Sequence, residues 1–246
     1  MKIGFFGCSF TEGGGLDSKE WNEYGIKHNL ISNEYNVENL NAGQKINVYT
    51  QYRDNHKFST LVSKELGCDV RNYARSCNSN ENIINSVFDK KDEHDILIIQ
   101  LSLKQRVHWW YEPLESYFNI NSSEFENYPY NGDSDKRKLQ EMYVDHLYYT
   151  YNDEQVARRL KQYIYLFNQL DKEIYWMSWE DNDWIEDVPN LIRFESENSN
   201  HAMGNWAEEN KYQFEYTTDG FYKDSHLDVK GNQMVAKKIV EVLNER

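Results

Sequence analysis

The chain has 246 residues, enough for one domain with a full hydrophobic core, and its 27 Lys and Arg against 41 Asp and Glu leave a formal charge of −14. A balance that acidic argues against nucleic-acid binding, because a phosphate-tracking surface works by neutralising phosphates and releasing their counterions. Mean hydropathy is only −0.89, yet 19 Tyr, 11 Phe and 7 Trp supply large areas for burial, so the composition is that of a polar globular protein and not of a disordered one.

Three cysteines, Cys8, Cys68 and Cys77, make neither a disulfide framework nor a zinc-type pair, which fits a reducing compartment. The opening apolar run, Ile3 to Phe6, is too short for a signal segment, and no stretch approaches the ~20 apolar residues of a membrane span. The expected setting is the cytoplasm, or a particle assembled inside a cell, with no membrane partner. With 3 Pro, no low-complexity linker and no internal repeat, residues 1–246 are expected to form a single domain.

Met1 to Cys8 reads as a short buried strand, a continuous apolar run that turns polar after Gly7. Residues 17–57, rich in Asn, Tyr and charge with weak periodicity, read as a long and mostly irregular insertion. Phe58 to Leu66 has helical spacing at Leu61, Val62, Glu65 and Leu66, with Gly67 as its stop. A strand is expected from Asp69 to Ala74, a helix from about Asn80 to Phe88, and a fully buried strand from Asp95 to Ser102. Residues 104–134 form a second insertion, with turn residues and aromatics such as Trp109 and Trp110. Helices follow at about Asp135–Tyr149 and Asp153–Leu170, then a strand at Glu173–Trp179, a short fifth at Leu191–Phe194, and a last helix at about Lys230–Asn244. Strands alternating with helices imply crossover units and hence an α/β fold with a parallel sheet covered on both faces.

Ser9 lies just past the first strand, where open parallel sheets build their sites. A hydroxyl needs a base to become a nucleophile at neutral pH, and His226 stands near the other end of the chain, two residues after Asp224, which can fix its tautomer and stabilise the imidazolium. Taken singly, Ser9 is an ordinary turn hydroxyl and His226 an ordinary residue at a helix start. Their order and context favour the chemical reading.

At these residues the sequence resembles the SGNH hydrolase superfamily, the GDSL-type esterases and lipases. Gly7-Cys8-Ser9-Phe10-Thr11-Glu12-Gly13 is similar to its first block, with Ser9 as nucleophile. The segment Asn72 to Asn80 is similar to the second, in which Cys77 holds the place of the oxyanion glycine, beside Asn78. Gln100-Leu101-Ser102-Leu103 falls on the third, with Ser102 in place of the oxyanion Asn, and Asp224-Ser225-His226-Leu227 resembles the last. The resemblance implies a three-layer α/β/α sandwich with a mainly parallel, flavodoxin-like sheet. It also implies a two-step acyl transfer through the triad Ser9, His226 and Asp224, with no cofactor. The oxyanion would be held by the N–H groups of Ser9 and Cys77 and by the Ser102 hydroxyl.

The departures are Cys8 beside the nucleophile, Cys77 for a glycine that reaches backbone angles other residues resist, and Ser102 for a longer donor whose loss can cost ~2.7–4 kcal/mol. The spacing D-x-H is also one residue shorter than usual, which leaves Asp219 and Asp228 as fallbacks for Asp224. These departures motivate the competing expectation, a weakly catalytic or non-catalytic module that binds a glycan or a protein.

Arg106, close behind the third block, is placed to reach an acidic group of a substrate, and Arg75 is a second cation in a strongly acidic chain. Trp206 joins the aromatics of the second insertion as a candidate stacking surface for sugars. An NTPase loop lacks its G-K-[ST], a dinucleotide site its G-x-G-x-x-G, and the seven His show no zinc-type spacing. The substrate class expected is a small-molecule or glycan ester, with O-acetylated carbohydrate suggested by the resemblance. Few Ala and Pro beside many Asn, Lys, Ile and Tyr suggest an AT-rich genome, such as that of a bacteriophage or a low-GC bacterium.

Overall fold

The computed structural model describes residues 1–16, 42–111, 116–120, 141–147, 151–218 and 220–245, and within these the side chains other than those at 42–44, 46, 107–111, 116–120, 214–218 and 220–224. Four parallel strands form the central sheet: β1 (Lys2–Phe6), β2 (Asp69–Asn72), β3 (Ile96–Leu101) and β6 (Glu173–Ser178), in the order β2-β1-β3-β6. Beyond β6 the expected fifth strand shrinks to a bridge. Leu191 pairs in parallel with Trp176, held by Trp176 N–H to Asn190 O at 3.1 Å and Ile192 N–H to Trp176 O at 2.8 Å. Counting strands along the chain, this is the 2-1-3-4-5 order of flavodoxin-like sheets.

The two faces follow from strand alternation. Ile3, Phe5, Ile96, Ile98, Tyr175 and Met177 point to one side, where α3 (Phe58–Leu66) and the C-terminal helix α7 (Val229–Asn244) cover them with Phe58, Val62, Val235, Ile239 and Leu243. Phe6, Leu97, Ile99, Leu101, Ile174 and Trp176 point to the other, against Ile83, Ile84 and Val87 of α4 (Asn80–Lys90) and Ile164 and Phe167 of α5 (Asp153–Phe167). This is the three-layer α/β/α arrangement. The caps are local: Ser79 Oγ accepts Asn82 N–H at α4, Asn152 does so for Gln155 at α5, and Gly67, at φ 57°, closes α3 in the left-handed region open to glycine.

Two expectations change. The stretch read as irregular contains α2 (Ala42–His56), whose buried residues Tyr49 and Tyr52 are spaced for one helical face; phenolic rings bury well but register weakly as apolar. The second insertion contains an antiparallel pair, β4 (Val107–Tyr111) and β5 (Ser116–Ile120). The expected helix 135–149 is described only at 141–147, α-helical through 145 and π-helical at 146–147. A short helix α1 (Ser9–Glu12) follows β1. Helix α6 (Met203–Glu209) precedes a hairpin of β7 (Gln213–Thr218) and β8 (Gly220–Leu227) that leads into α7. No helix among the described residues is long and apolar enough to cross a membrane.

Candidate active site

Ser9 opens α1 directly after β1, with Cys8 O accepting the N–H groups of Thr11 and Glu12 at 3.0 Å each. The Ser9 N–H is thus in the first helical turn, where donors lack partners within the helix. The residue is 4% exposed, and its hydroxyl makes no hydrogen bond among the described residues. Gln100, fully buried at the end of β3, fixes this corner. Its Oε1 accepts from the Cys8 N–H (3.4 Å), the Cys8 thiol (3.3 Å) and the Thr11 hydroxyl (3.0 Å).

His226 reaches the same corner from the far end of the chain. The β7–β8 ladder pairs Gln213 with Leu227 but Phe214 with Asp224, so Ser225 and His226 form a bulge, the device by which a strand re-aims a side chain. The ring lies over Gly14. A Cβ there would stand 2.8 Å from both Cδ2 and Nε2 of His226 and 3.0 Å from Ser9 O, so Ser9 O and the imidazole are no farther apart than those two lengths together. Only a residue without a side chain admits the ring so close to α1. Nε2 is buried, and the ring centroid is 4.9 Å from that of Phe10, which stacks in turn on Trp179 at 3.4 Å. Asp224 lies on β8 and its side chain falls outside those described, as does Asp219. The other fallback, Asp228, serves elsewhere. It caps α7, its Oδ1 accepting the Gly231 N–H at 2.6 Å, and burial pushes its carboxyl up.

The second block meets the first at Gly7, whose carbonyl accepts the Arg75 N–H (3.4 Å) and the Asn78 side-chain amide (3.1 Å). Between them residues 75–78 form a turn, closed by Asn78 N–H to Arg75 O at 3.3 Å, with Cys77 at φ 60°. A positive φ at the third position alone is the type II pattern, which asks for glycine. Cys77 therefore adopts the conformation expected of the residue it replaces. Asn78 is 1% exposed and ties the turn to Gly7 instead of lining an open surface.

Ser102 completes the edge. Register pairs Phe6 with Ile99, and Ser9 and Ser102 each lie three residues further along. The Ser102 backbone is clamped by Asn80, N–H to Oδ1 at 2.7 Å and O from Nδ2 at 3.2 Å, and its hydroxyl accepts Arg106 Nη1 at 2.9 Å, which leaves its own proton to donate. Glu180 accepts the Lys104 N–H at 2.8 Å, and burial holds its carboxyl above the usual carboxylate range. Trp206 is not at this edge; it packs on Phe194 and Tyr212 at 5.1 and 4.9 Å. Gln100 and Asn80 lie inside the third and second blocks and Trp179 at the end of a legible strand, yet nothing in the sequence marks the hydrogen bonds and stacking by which they hold this corner.

No family model matches the sequence, and no curated protein matches it. Among solved structures the chain is similar to a protein described as a GDSL-like lipase from Parabacteroides merdae (13% identity, 100% of this chain and 96% of that one, TM-score 0.42). It is similar also to an acetyl xylan esterase from Butyrivibrio proteoclasticus (13% identity, 99% and 63%, TM-score 0.40). A third is a protein assigned to the G-D-S-L lipolytic family in Desulfitobacterium hafniense (8% identity, 98% and 98%, TM-score 0.35). These scores are all below 0.5.

Proposed function

We propose that the protein is a serine esterase, with Ser9 as nucleophile and His226 as its base. The observation that carries this reading is the approach of the His226 ring to the Ser9 segment across Gly14. In the proposed reaction His226 takes the Ser9 proton as Oγ attacks an ester carbonyl, and the tetrahedral oxyanion receives the N–H groups of Ser9 and Cys77 and the Ser102 hydroxyl. His226 then returns the proton to the leaving alcohol. Water, activated by the same imidazole, hydrolyses the acyl-enzyme. Asp224 is assigned the orienting role as the carboxylate two residues from the base on β8. Nucleophile and base that are loosely disposed without substrate commonly tighten when it binds. The substrate class proposed is a small-molecule or glycan ester, O-acetylated carbohydrate first, and the domain proposed is the whole of residues 1–246.

Ser9→Ala is expected to lower p-nitrophenyl acetate hydrolysis by at least about 10³-fold. Its thermal unfolding should stay close to wild type, because the hydroxyl it removes holds nothing else together. Wild-type turnover in this variant would overturn the reading, as would failure of a fluorophosphonate to label Ser9 in the wild-type protein.

A further inference from the structure

A pocket of about 200 Å³ is lined by Asn80, Glu81, Lys104, Arg106, Gln155 and Arg159 among others. Its three permanent cations differ in one respect. Lys104 Nζ is 3.5 Å from the Asp153 carboxylate and Arg159 is paired with Glu81, whereas Arg106 has no carboxylate within ion-pair distance among the described residues. Glu180, whose carboxyl feels the charge of Arg106, forms no ion pair with it and accepts the Lys104 N–H. Arg106 spends Nη1 on the Ser102 hydroxyl. Nε is buried and makes no hydrogen bond, and neither does Nη2 among the described residues. With Nε out of reach of solvent and Nη1 on Ser102, Nη2 is the nitrogen left for a carboxylate oxygen. An arginine left without a carboxylate at the wall of a pocket, in a chain of formal charge −14, is an arrangement that a ligand anion would complete.

We propose that this pocket holds a carboxylate of the ligand on Nη2 of Arg106, the one pocket cation not already paired with a carboxylate among the described residues. Resting on the esterase reading, this makes the preferred substrate an acidic ester. The Arg106–Ser102 hydrogen bond ties its carboxylate site to the edge where the ester carbonyl would be held.

Binding and hydrolysis test it separately. Calorimetric titration of the wild-type protein with D-glucuronate and with D-glucose, which differ only at the carboxylate carbon, should show glucuronate binding at least tenfold more tightly. Arg106→Gln should erase the difference, and Arg106→Lys, which keeps the charge without the guanidinium, should recover only part of it. If Arg106→Gln does not fold, the loss in Arg106→Lys decides. Equal binding of the two sugars, a preference indifferent to both variants, or equally tight binding of inorganic phosphate would overturn the carboxylate assignment. In parallel, kcat/KM for p-nitrophenyl hemiglutarate should exceed that for p-nitrophenyl valerate by at least tenfold. A protein that binds glucuronate selectively but hydrolyses neither ester retains the pocket and loses the esterase reading. One that hydrolyses both alike retains the esterase and loses the pocket.

Discussion

Cys77 occupies a backbone conformation that costs an ordinary residue about 1–2 kcal/mol. Cys77→Gly removes that strain while adding about 0.4–1 kcal/mol of unfolded-state entropy, so it should leave stability unchanged or raise it by up to about 1 kcal/mol in urea unfolding, with hydrolysis preserved. Cys77→Val, β-branched at positive φ, should lose about 1–3 kcal/mol and, if the Cys77 N–H serves the oxyanion, at least tenfold in kcat. Equal behaviour of the two variants would remove backbone geometry from the explanation. At this scale the sequence was informative where chemistry depends on residue type. Ser9 and His226, ordinary residues when taken singly, stand out through their order along the chain, and both arrive at one corner. It was silent where a residue's role depends on what surrounds it. Asn78 reads as a polar group available to a ligand, yet it is spent inside the turn, and Gln100 reads as an interruption of an apolar strand although three donors converge on its oxygen.

Among elements, Gln100 ties β3 to the start of α1. Gln100→Leu keeps the bulk and leaves the Cys8 N–H and the Thr11 hydroxyl without an acceptor in a buried setting; at about 1–3 kcal/mol for each such group it should lose about 2–5 kcal/mol in chemical denaturation. A loss below about 1 kcal/mol would mean that the corner is held by other contacts. Three of the four sheet strands were legible because they are buried on both faces and so read as near-continuous apolar runs. Helix α2 was not, since Tyr49 and Tyr52 bury rings that carry a hydroxyl, and Tyr52 stacks on His56 at 4.2 Å, a residue that reads as polar. The β7–β8 hairpin was missed because its decisive feature is a two-residue offset in pairing, which no periodicity within one strand reveals.

For the whole molecule, buried carboxyls set part of the response to pH. Burial raises the Glu180 carboxyl, the Lys104 N–H and nearby cations pulling the other way. The folded protein then keeps this proton to higher pH than the unfolded chain, so it binds more protons between the two pKa values and its stability falls as pH rises through that window. Below the ordinary Glu value of about 4.3 both states are protonated and the penalty is absent. Glu180→Gln keeps an oxygen for the Lys104 N–H without the charge. It should therefore be more stable than wild type at about pH 8 and lose that advantage at about pH 4, as urea unfolding at the two pH values would show. An advantage of the same size at both would assign the effect to packing. The whole molecule also fixes an order in time. The Ser9 corner and the first three sheet strands leave the ribosome more than a hundred residues ahead of His226, so a growing chain can assemble the sheet but holds the hydroxyl without the imidazole. Their meeting over Gly14 waits for the last hairpin, and a product of interrupted synthesis would carry half of the candidate site.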